Sequence, residues 1–219
     1  PHPWLADCLI LSKTGNLERL AAFRDGLFYV QDPASKLAAL ALDPKPDMQV
    51  LDCCAAPGGK SFACAIRMEG RGEVISCDLH PHKKKLIQAG ADRLGLENIT
   101  PMTADGKAFR PEWESAFDRV LVDAPCSGLG VIRKKPDIRY KDPGPLADLP
   151  QVQRAILDNA ARYVRPGGVL VYSTCTLLRR ENEDVVLGFL KDHPRFKAEG
   201  FSLPEHVGEA RTGMCTLWP

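Results

Sequence analysis

The sequence lacks any apolar run long enough to cross a membrane. No stretch among its 219 residues reaches the ~18 to 20 consecutive apolar residues that a membrane helix needs, and no segment resembles a signal peptide. It also shows no internal repeat and no low-complexity segment. We therefore expect a cytoplasmic globular protein with no membrane partner.

Paired cysteine motifs are missing as well. The eight cysteines include no CxxC pair and have no neighbouring histidine pattern. Because zinc sites and disulfide frameworks carry such spacings, we predict neither a metal site nor structural disulfides. The setting is then reducing, and each cysteine is either a small core residue or a reagent.

A strong charge of one sign is the third absence. The formal net charge is +1, which by itself indicates no nucleic acid partner. Basic residues do form three short runs, at 83–85, 133–135 and 179–180. A single run of this kind is usually a solvated face, so only its position beside a site gives it a role.

The chain does contain an alternation of helices and short apolar strands. We predict helices over 33–42, 59–68, 81–94, 150–163 and 181–192, and strands over 50–53, 74–78, 99–103, 117–123 and 169–174. This order is typical of an α/β fold with a doubly wound, mostly parallel sheet. Residues 1–31 are a short N-terminal appendage with weak strand signals at 8–11 and 27–30. Residues 124–149 form a long irregular loop, and loops of that length are usually functional.

The strand ends carry the residues of chemical interest. Ligands of parallel sheets bind beyond the carboxyl ends of the strands. Five groups follow strands here: 52–60, Asp78, Asp105, 123–128 and 173–176. We therefore expect all five groups to converge on one edge of the sheet.

The turn after the first strand has the character of a ligand loop. It reads Asp52-Cys53-Cys54-Ala55-Ala56-Pro57-Gly58-Gly59-Lys60-Ser61. Small residues before a helix N-terminus let backbone amides approach a ligand. The dinucleotide pattern GxGxxG is absent, and the P-loop pattern GxxxxGK[ST] fails because Cys54 stands where its first glycine belongs.

S-adenosylmethionine fits this loop better than a nucleotide polyphosphate does. It has no polyphosphate, so it needs only a narrow turn for its amino acid part. Asp78, after the second strand, is placed to bind its ribose hydroxyls, and Asp105 to meet its adenine amino group. A lone aspartate at such a place is about as often a cap or turn residue, but three at successive strand ends favour a ligand.

Two cysteines follow buried strands, Cys126 in Asp123-Ala124-Pro125-Cys126-Ser127-Gly128 and Cys175 in Ser173-Thr174-Cys175. Either cysteine alone is more often a core residue, but two cysteines beside a methyl donor favour a catalytic role. A thiolate that adds to carbon 6 of cytosine makes carbon 5 able to attack a sulfonium methyl group. Asp123 could protonate N3 if burial and a neighbouring carboxylate raised its pKa. A base inside a helix is out of reach, so the target is single-stranded or flipped out.

These motifs resemble those of the Sun/RsmB-type (Fmu) RNA cytosine-5 methyltransferases, most closely the RsmB branch that modifies small-subunit ribosomal RNA. The resemblance spans about residues 23 to 192 and lies in 31–35, 52–60, 123–128, 130–138, 173–175 and 181–183. It implies a class I, Rossmann-like methyltransferase domain over 32–219, with 1–31 as the remnant of an RNA-binding region. It implies S-adenosylmethionine as cofactor and RNA, namely 16S ribosomal RNA, as partner, without indicating an oligomeric state.

Residue by residue, the resemblance assigns roles that the residues alone leave open. It implies that Cys175 is the nucleophile and that Cys126 assists product release, whereas DNA cytosine-5 methyltransferases use the Pro-Cys thiol, here Cys126. It counts Lys60 and Asp123 among the catalytic residues. The implied cofactor and substrate pocket is lined by Cys54, Ala55, Ala56, Pro57, Gly58, Gly59, Lys60, Asp78, Asp105 and Asp123.

This sequence departs from the family pattern in two places. Members of the branch carry an N-terminal helical RNA-binding domain and a final Asp-Gly-Phe-Phe strand, and neither is seen in this sequence, which begins Pro1-His2-Pro3 as a fragment or a processed chain would. Phosphate contacts are then expected from Arg133 to Lys135 and from Arg139, in the loop over the pocket.

Two other functions compete with this interpretation. A P-loop nucleotide hydrolase is suggested by Gly59-Lys60-Ser61 together with Asp123. A catalytically silent RNA-binding module is the other, although it has no need of both cysteines and the aspartates.

Overall fold

The architecture is a parallel sheet between two layers of helices. The computed structural model describes residues 1–140, 142, 144–205 and 207–217. Within this part, β1 to β5 form one parallel sheet in the order β3-β2-β1-β4-β5, and β6 and β7 form a small antiparallel pair. The strands are β1 Gln49–Asp52, β2 Glu73–Asp78, β3 Ile99–Thr103, β4 Phe117–Asp123, β5 Val164–Ser173, β6 Phe201–Ser202 and β7 Glu209–Ala210. This confirms the predicted fold class.

Helices connect the strands and cover both faces of the sheet. They are α1 Ala21–Arg24, α2 Pro33–Leu42, α3 Gly59–Arg67, α4 Pro81–Leu94, α5 Leu149–Ala161 and α6 Glu183–Asp192. Short 3-10 turns lie at Leu17–Arg19, Pro111–Trp113, Leu129–Val131, Pro136–Tyr140, Gly144–Leu146 and Arg179–Glu181. None of the described helices is long and apolar enough to cross a membrane.

Local signals explain where the helices begin and end. The Asp32 side chain caps α2 by accepting a hydrogen bond from Ala34 N at 2.9 Å, as predicted, and Pro33 occupies its first turn. Helix α4 begins with Pro81 and ends before Gly95, which has a φ of 65°. Both predicted bounds of α4 are therefore confirmed.

The core lies on both faces of the sheet because neighbouring strand residues point to opposite sides. Leu121 of β4 packs with Val50 and Met68 on the face covered by α2, α3 and α4. Val120 and Val122 pack on the other face with Ile156 and Phe189, from α5 and α6. The central strands are buried on both faces, as in other doubly wound sheets.

The predicted strands of the N-terminal appendage are wrong. Segments 8–11 and 27–30 form no strand, and Leu9, Ile10 and Leu27 are 73%, 65% and 76% exposed. A strand needs a partner for its backbone hydrogen bonds, and neither segment is paired with a strand in the described part of the chain. Side chains hold the appendage instead. Arg93 donates to the carbonyls of Phe23 and Phe28 at 2.7 and 3.0 Å.

Three element bounds also differ from the prediction by two residues or more. Strand β5 begins at Val164 rather than 169, because Arg165-Pro166-Gly167-Gly168 extends the pairing with β4 through an irregularity between Phe117 and Arg119. Helix α5 accordingly ends at Ala161. The last helix begins at Glu183, after the 3-10 turn Arg179–Glu181.

Candidate active site

The carboxyl ends of β4 and β5 and the start of α3 meet at a charged cluster. Lys60 Nζ lies 2.6 Å from Asp123 Oδ2, and the Ser173 hydroxyl donates to Asp123 Oδ1 at 2.7 Å. The Lys60 side chain is 12% exposed, so the ion pair is screened only weakly by solvent. Both oxygens of Asp123 accept hydrogen bonds, one from Lys60 and one from Ser173, and its role as the N3 proton donor stays a prediction.

Two thiols lie beside this cluster. The sulfur atoms of Cys126 and Cys175 are 3.2 Å apart, and the backbone N–H of Cys175 donates to the Cys126 sulfur at 3.3 Å. Cys175 is exposed, whereas Cys126 is half-buried. Both cysteines come from loops that follow adjacent parallel strands, so the strand order β4-β5 brings them together.

The electrostatics distinguish the two thiols. The hydrogen bond between them lowers the pKa of Cys175 to about 7, and the positive charge of Lys60 adds to this effect against desolvation and Asp123. The same hydrogen bond, together with burial, raises the pKa of Cys126. The two sulfur atoms share one hydrogen bond in which either can donate, and the lowered pKa of Cys175 favours the thiolate at that residue.

A neighbouring loop holds Cys175 from the other side. Gly130 N–H donates to the Cys175 carbonyl at 3.0 Å. A Cβ on Gly130 would lie 2.9 Å from that oxygen, so only glycine permits this approach without displacement. The segment 129–131, within the predicted irregular loop, is thus held against the backbone of Cys175.

The loop after β1 is narrow and largely buried. Gly58 has a φ of 115°, and a Cβ there would come within 2.4 Å of the Phe62 ring. Ala55 N–H donates to the Cys77 carbonyl at 2.7 Å, which joins the loop to β2. Burial and then the carboxylates of Asp52, Asp123 and Asp78 raise the pKa of Cys54, so this thiol lies among the acidic groups of the edge.

Asp52 is a buried carboxyl group next to this loop. It is 1% exposed, and Ser61 donates to its Oδ2 at 2.8 Å, whereas its Oδ1 has no hydrogen-bond partner in the described part of the chain. Desolvation raises its pKa to about 7, with a smaller contribution from Asp123 in the same direction and opposing effects of Ser61 and Lys60.

Asp78 and Asp105 lie at the same edge of the sheet but are held locally. Asp78, buried, accepts from the N–H of His80 at 3.1 Å, and Lys83 Nζ lies 3.4 Å from the same oxygen. Asp105 is exposed and accepts from the N–H of Lys107 at 2.9 Å. Each therefore uses one oxygen to stabilise the turn that follows its strand.

Comparison with known proteins identifies the family. Residues 39–219 match the family described as 16S rRNA methyltransferase RsmB/F. The chain belongs to this family. It is 48% identical, over 94% of its length, to the probable ribosomal RNA small subunit methyltransferase B of Bacillus subtilis. It is 37% identical, over 89% of its length, to the ribosomal RNA small subunit methyltransferase F of Klebsiella pneumoniae.

A solved structure agrees with these relatives. NSun6 from Pyrococcus horikoshii with SFG matches 81% of this RsmB/F chain at 35% identity and a TM-score of 0.73. The chain covers 46%, 42% and 45% of these three proteins, which is less than half of each. The comparisons confirm the predicted family and its cofactor, S-adenosylmethionine.

The residues present fit that cofactor. A glycine-containing turn at 54–60, a buried carboxylate oxygen of Asp52 without a partner, and the second oxygen of Asp78 lie along β1 and β2. Lys60, in contrast, is paired with Asp123 rather than available to a polyphosphate. Family membership overturns the alternative of a P-loop hydrolase.

The predicted groups do converge on one edge of the sheet, but only some of them contact one another through side chains. Side-chain contacts join 52–60 to 123–128 and 173–176, whereas Asp78 and Asp105 make no such contact with the other groups within the described residues. The basic loop is exposed, but Lys134 forms an ion pair with Asp32 and is partly committed there. Arg133, Lys135 and Arg139 remain exposed.

Sequence reasoning missed one buried polar residue beside the site and left another without a role. Gln153 is fully buried on α5 and donates to the Pro125 carbonyl at 2.9 Å and to Glu181 Oε2 at 3.0 Å. Glu181, named only as part of a motif, is also fully buried. The available signal for Gln153 was a polar residue in line with the apolar Ile156, Leu157 and Ala160.

Proposed function

We propose that this chain is the catalytic part of an enzyme that methylates carbon 5 of a cytosine in 16S ribosomal RNA. The observation that carries the proposal is the pair of sulfur atoms, 3.2 Å apart, beside the Lys60–Asp123 ion pair. The names of the curated relatives support small-subunit ribosomal RNA as the substrate. The cofactor when bound supplies an electrophilic methyl group.

Cys175 is the nucleophile in this mechanism. Its sulfur bonds to carbon 6 of the pyrimidine while N3 takes up a proton, which leaves carbon 5 enamine-like and nucleophilic. Because Cys126 and Lys60 favour the thiolate, the attacking form is present near neutral pH. Its exposure lets a flipped-out base reach it.

Cys126 acts through the same hydrogen bond at the end of the reaction. Solvent takes the proton from carbon 5, the electrons of that C–H bond restore the double bond between carbons 5 and 6, and the bond between sulfur and carbon 6 breaks. Cys175 leaves as a thiolate, and N3 gives up its proton. A thiol 3.2 Å away stabilises that leaving group as it stabilised the nucleophile. Arg133, Lys135 and Arg139 bind phosphates around the target base.

The test is transfer of labelled methyl groups to 16S transcripts, followed by mapping of 5-methylcytosine. We expect Cys175→Ala to abolish transfer and Cys126→Ala to leave a covalent protein–RNA adduct of retarded mobility. Cys215→Ala, which removes another exposed thiol, is the matched control and should behave as the wild type.

Two results would contradict this assignment. If Cys126→Ala eliminates the adduct while Cys175→Ala retains it, the two thiols have the opposite roles. If the wild type methylates a position other than carbon 5, the proposed reaction is wrong.

A further inference from the structure

Glu181 and Asn182 lie directly behind the two cysteine loops. Glu181 ends the 3-10 turn Arg179–Glu181, and Asn182 follows it immediately before α6. The Glu181 carbonyl accepts a hydrogen bond from the Tyr172 hydroxyl at 2.7 Å, which ties this turn to β5. Neither side chain belongs to the cofactor loop or touches a sulfur atom.

Glu181 holds the loop of Cys126. Its Oε2 accepts from the backbone N–H of Ser127, the residue after Cys126, at 2.9 Å. Gln153 donates from one nitrogen to both Glu181 Oε2 and the carbonyl of Pro125, the residue before Cys126. The residues on either side of Cys126 are therefore fixed by one buried network.

Asn182 holds the loop of Cys175 in the same manner. Its Oδ1 accepts from the Thr174 hydroxyl at 2.6 Å, and its Nδ2 donates to the Thr176 carbonyl at 3.0 Å. Thr174 and Thr176 flank Cys175. The hydroxyls of Ser127 and Thr176 are 2.8 Å apart and join the two loops.

Glu181 is unlike a residue that only fills space, because burying its carboxyl group costs free energy. The side chain is 0% exposed, it forms no ion pair among the residues that the structure describes, and its Oε1 has no hydrogen-bond partner there. A buried carboxylate without a cation is strongly disfavoured unless its hydrogen bonds compensate. Its hydrogen bonds are made to the Cys126 loop and to Gln153, so its contribution is to the geometry of that loop.

We propose that Glu181 and Asn182 are positioning residues that set the separation of the two reactive sulfur atoms, Glu181 through Cys126 and Asn182 through Cys175. The inference rests on the proposed function, in which the distance between the two sulfur atoms matters for catalysis. It predicts two different defects, because Cys175 is needed to form the adduct and Cys126 to resolve it.

Single-turnover assays with 16S transcripts separate these defects. We expect Glu181→Ala to lengthen the lifetime of the covalent adduct about ten- to hundredfold, since small misplacements of reacting groups cost that much. Asn182→Ala should instead slow adduct formation by a similar factor. Glu181→Gln keeps an acceptor for Ser127 and Gln153 and should restore most of the resolution rate.

Glu183→Ala is the matched control for both variants. Glu183 is the next acidic residue of the same segment, and its side chain makes no hydrogen bond or ion pair within the described residues. Its removal should change neither rate. If Glu183→Ala and Glu181→Ala behave alike, the proposal is wrong.

A second readout needs no RNA. A bifunctional thiol reagent should bridge Cys126 and Cys175 in the wild type, and Glu181→Ala should slow bridging about tenfold. Alkylation at Cys175, followed by mass spectrometry across pH, should show a higher midpoint in Glu181→Ala because the hydrogen bond from Cys126 is weakened. Unchanged bridging and an unchanged midpoint would overturn the proposal even if activity falls.

These measurements distinguish failure of the proposed function from failure of the positioning roles. A wild type that bridges its thiols but forms no adduct contradicts the proposed function, while the bridging rates of the variants still decide the positioning roles. If Glu181→Ala does not fold, Gln153→Met removes both Gln153 hydrogen bonds without removing the carboxylate. It should lengthen the adduct lifetime and slow bridging, and failure to do either counts against the proposal.

Discussion

The candidate active site lies along the carboxyl edge of the sheet, and the two halves of that edge are built in different ways. At β2 and β3, Asp78 and Asp105 each accept a hydrogen bond from the N–H two residues further along. At β4 and β5, contacts join residues far apart in the chain: Lys60 to Asp123 over 63 residues, and Cys126 to Cys175 over 49. The half at β2 and β3, called the cofactor half after the proposed function, therefore depends on local turns. The half at β4 and β5, called the reaction half on the same ground, depends on the order of the strands.

Asp52 is an exception to this division. It lies beside the cofactor half, but its pKa is influenced by Asp123 and Lys60 of the reaction half. Its pKa of about 7 in the folded state exceeds the ordinary value of 3.8. The folded protein keeps this proton at pH values where the unfolded chain has lost it. The free energy of unfolding therefore falls as pH rises from about 4 to about 7.

We expect Asp52→Asn to remove that fall. Because a shift of about three units corresponds to roughly 4 kcal/mol, the variant should be more stable than the wild type at pH 8 by up to that amount, and similar at pH 4. Urea unfolding at both pH values measures the difference. The exposed Asp105→Asn serves as control and should follow the wild type, and equal pH slopes for Asp52→Asn and the wild type would refute the burial effect.

Removing one positive charge should reduce methyl transfer more in the reaction half than in the cofactor half. Lys60→Met removes the cation that pairs with Asp123 and favours the Cys175 thiolate, so methyl transfer should fall about hundredfold. Lys107→Met, on the exposed turn after β3, should change transfer little. Equal losses in the two variants, measured with labelled cofactor, would show that general electrostatics rather than the ion pair matters.

The smallest effects are expected at the cofactor half. Asp78→Asn replaces a buried carboxyl group of the proposed cofactor site, so the affinity for S-adenosylmethionine should fall about tenfold. Asp105→Asn, at an exposed position, should cost less. Calorimetric titration of the cofactor gives both values, and a larger loss for Asp105 would reverse the ranking of the two carboxylates.

Local signals made much of the fold predictable. Strands β3 and β4 and helix α4 have the predicted bounds, because apolar alternation, Pro81 and Gly95 act within a few residues. The appendage was mispredicted since apolar segments such as 8–11 become strands only beside a partner. The start of β5 was mispredicted since proline and glycine resemble a stop until pairing with β4 is known.

The site divides in the same manner. The cofactor loop, the three strand-end aspartates and both cysteines follow from the sequence as candidates, because their positions after strands are local facts. Which thiol is ionised does not follow from it. That depends on Cys126, Lys60 and Asp123 meeting around Cys175.

The sequence by itself determined the alternation of strands and helices, the narrow turn at 54–60 and the membership of the RsmB/F family, since each is written in neighbouring residues. Only the tertiary structure decided that two sulfur atoms lie 3.2 Å apart and that a buried carboxylate stands behind them. The physical reason is that hydrogen bonds and pKa values depend on distances of a few ångströms, and the strand order sets those distances for residues remote in the chain.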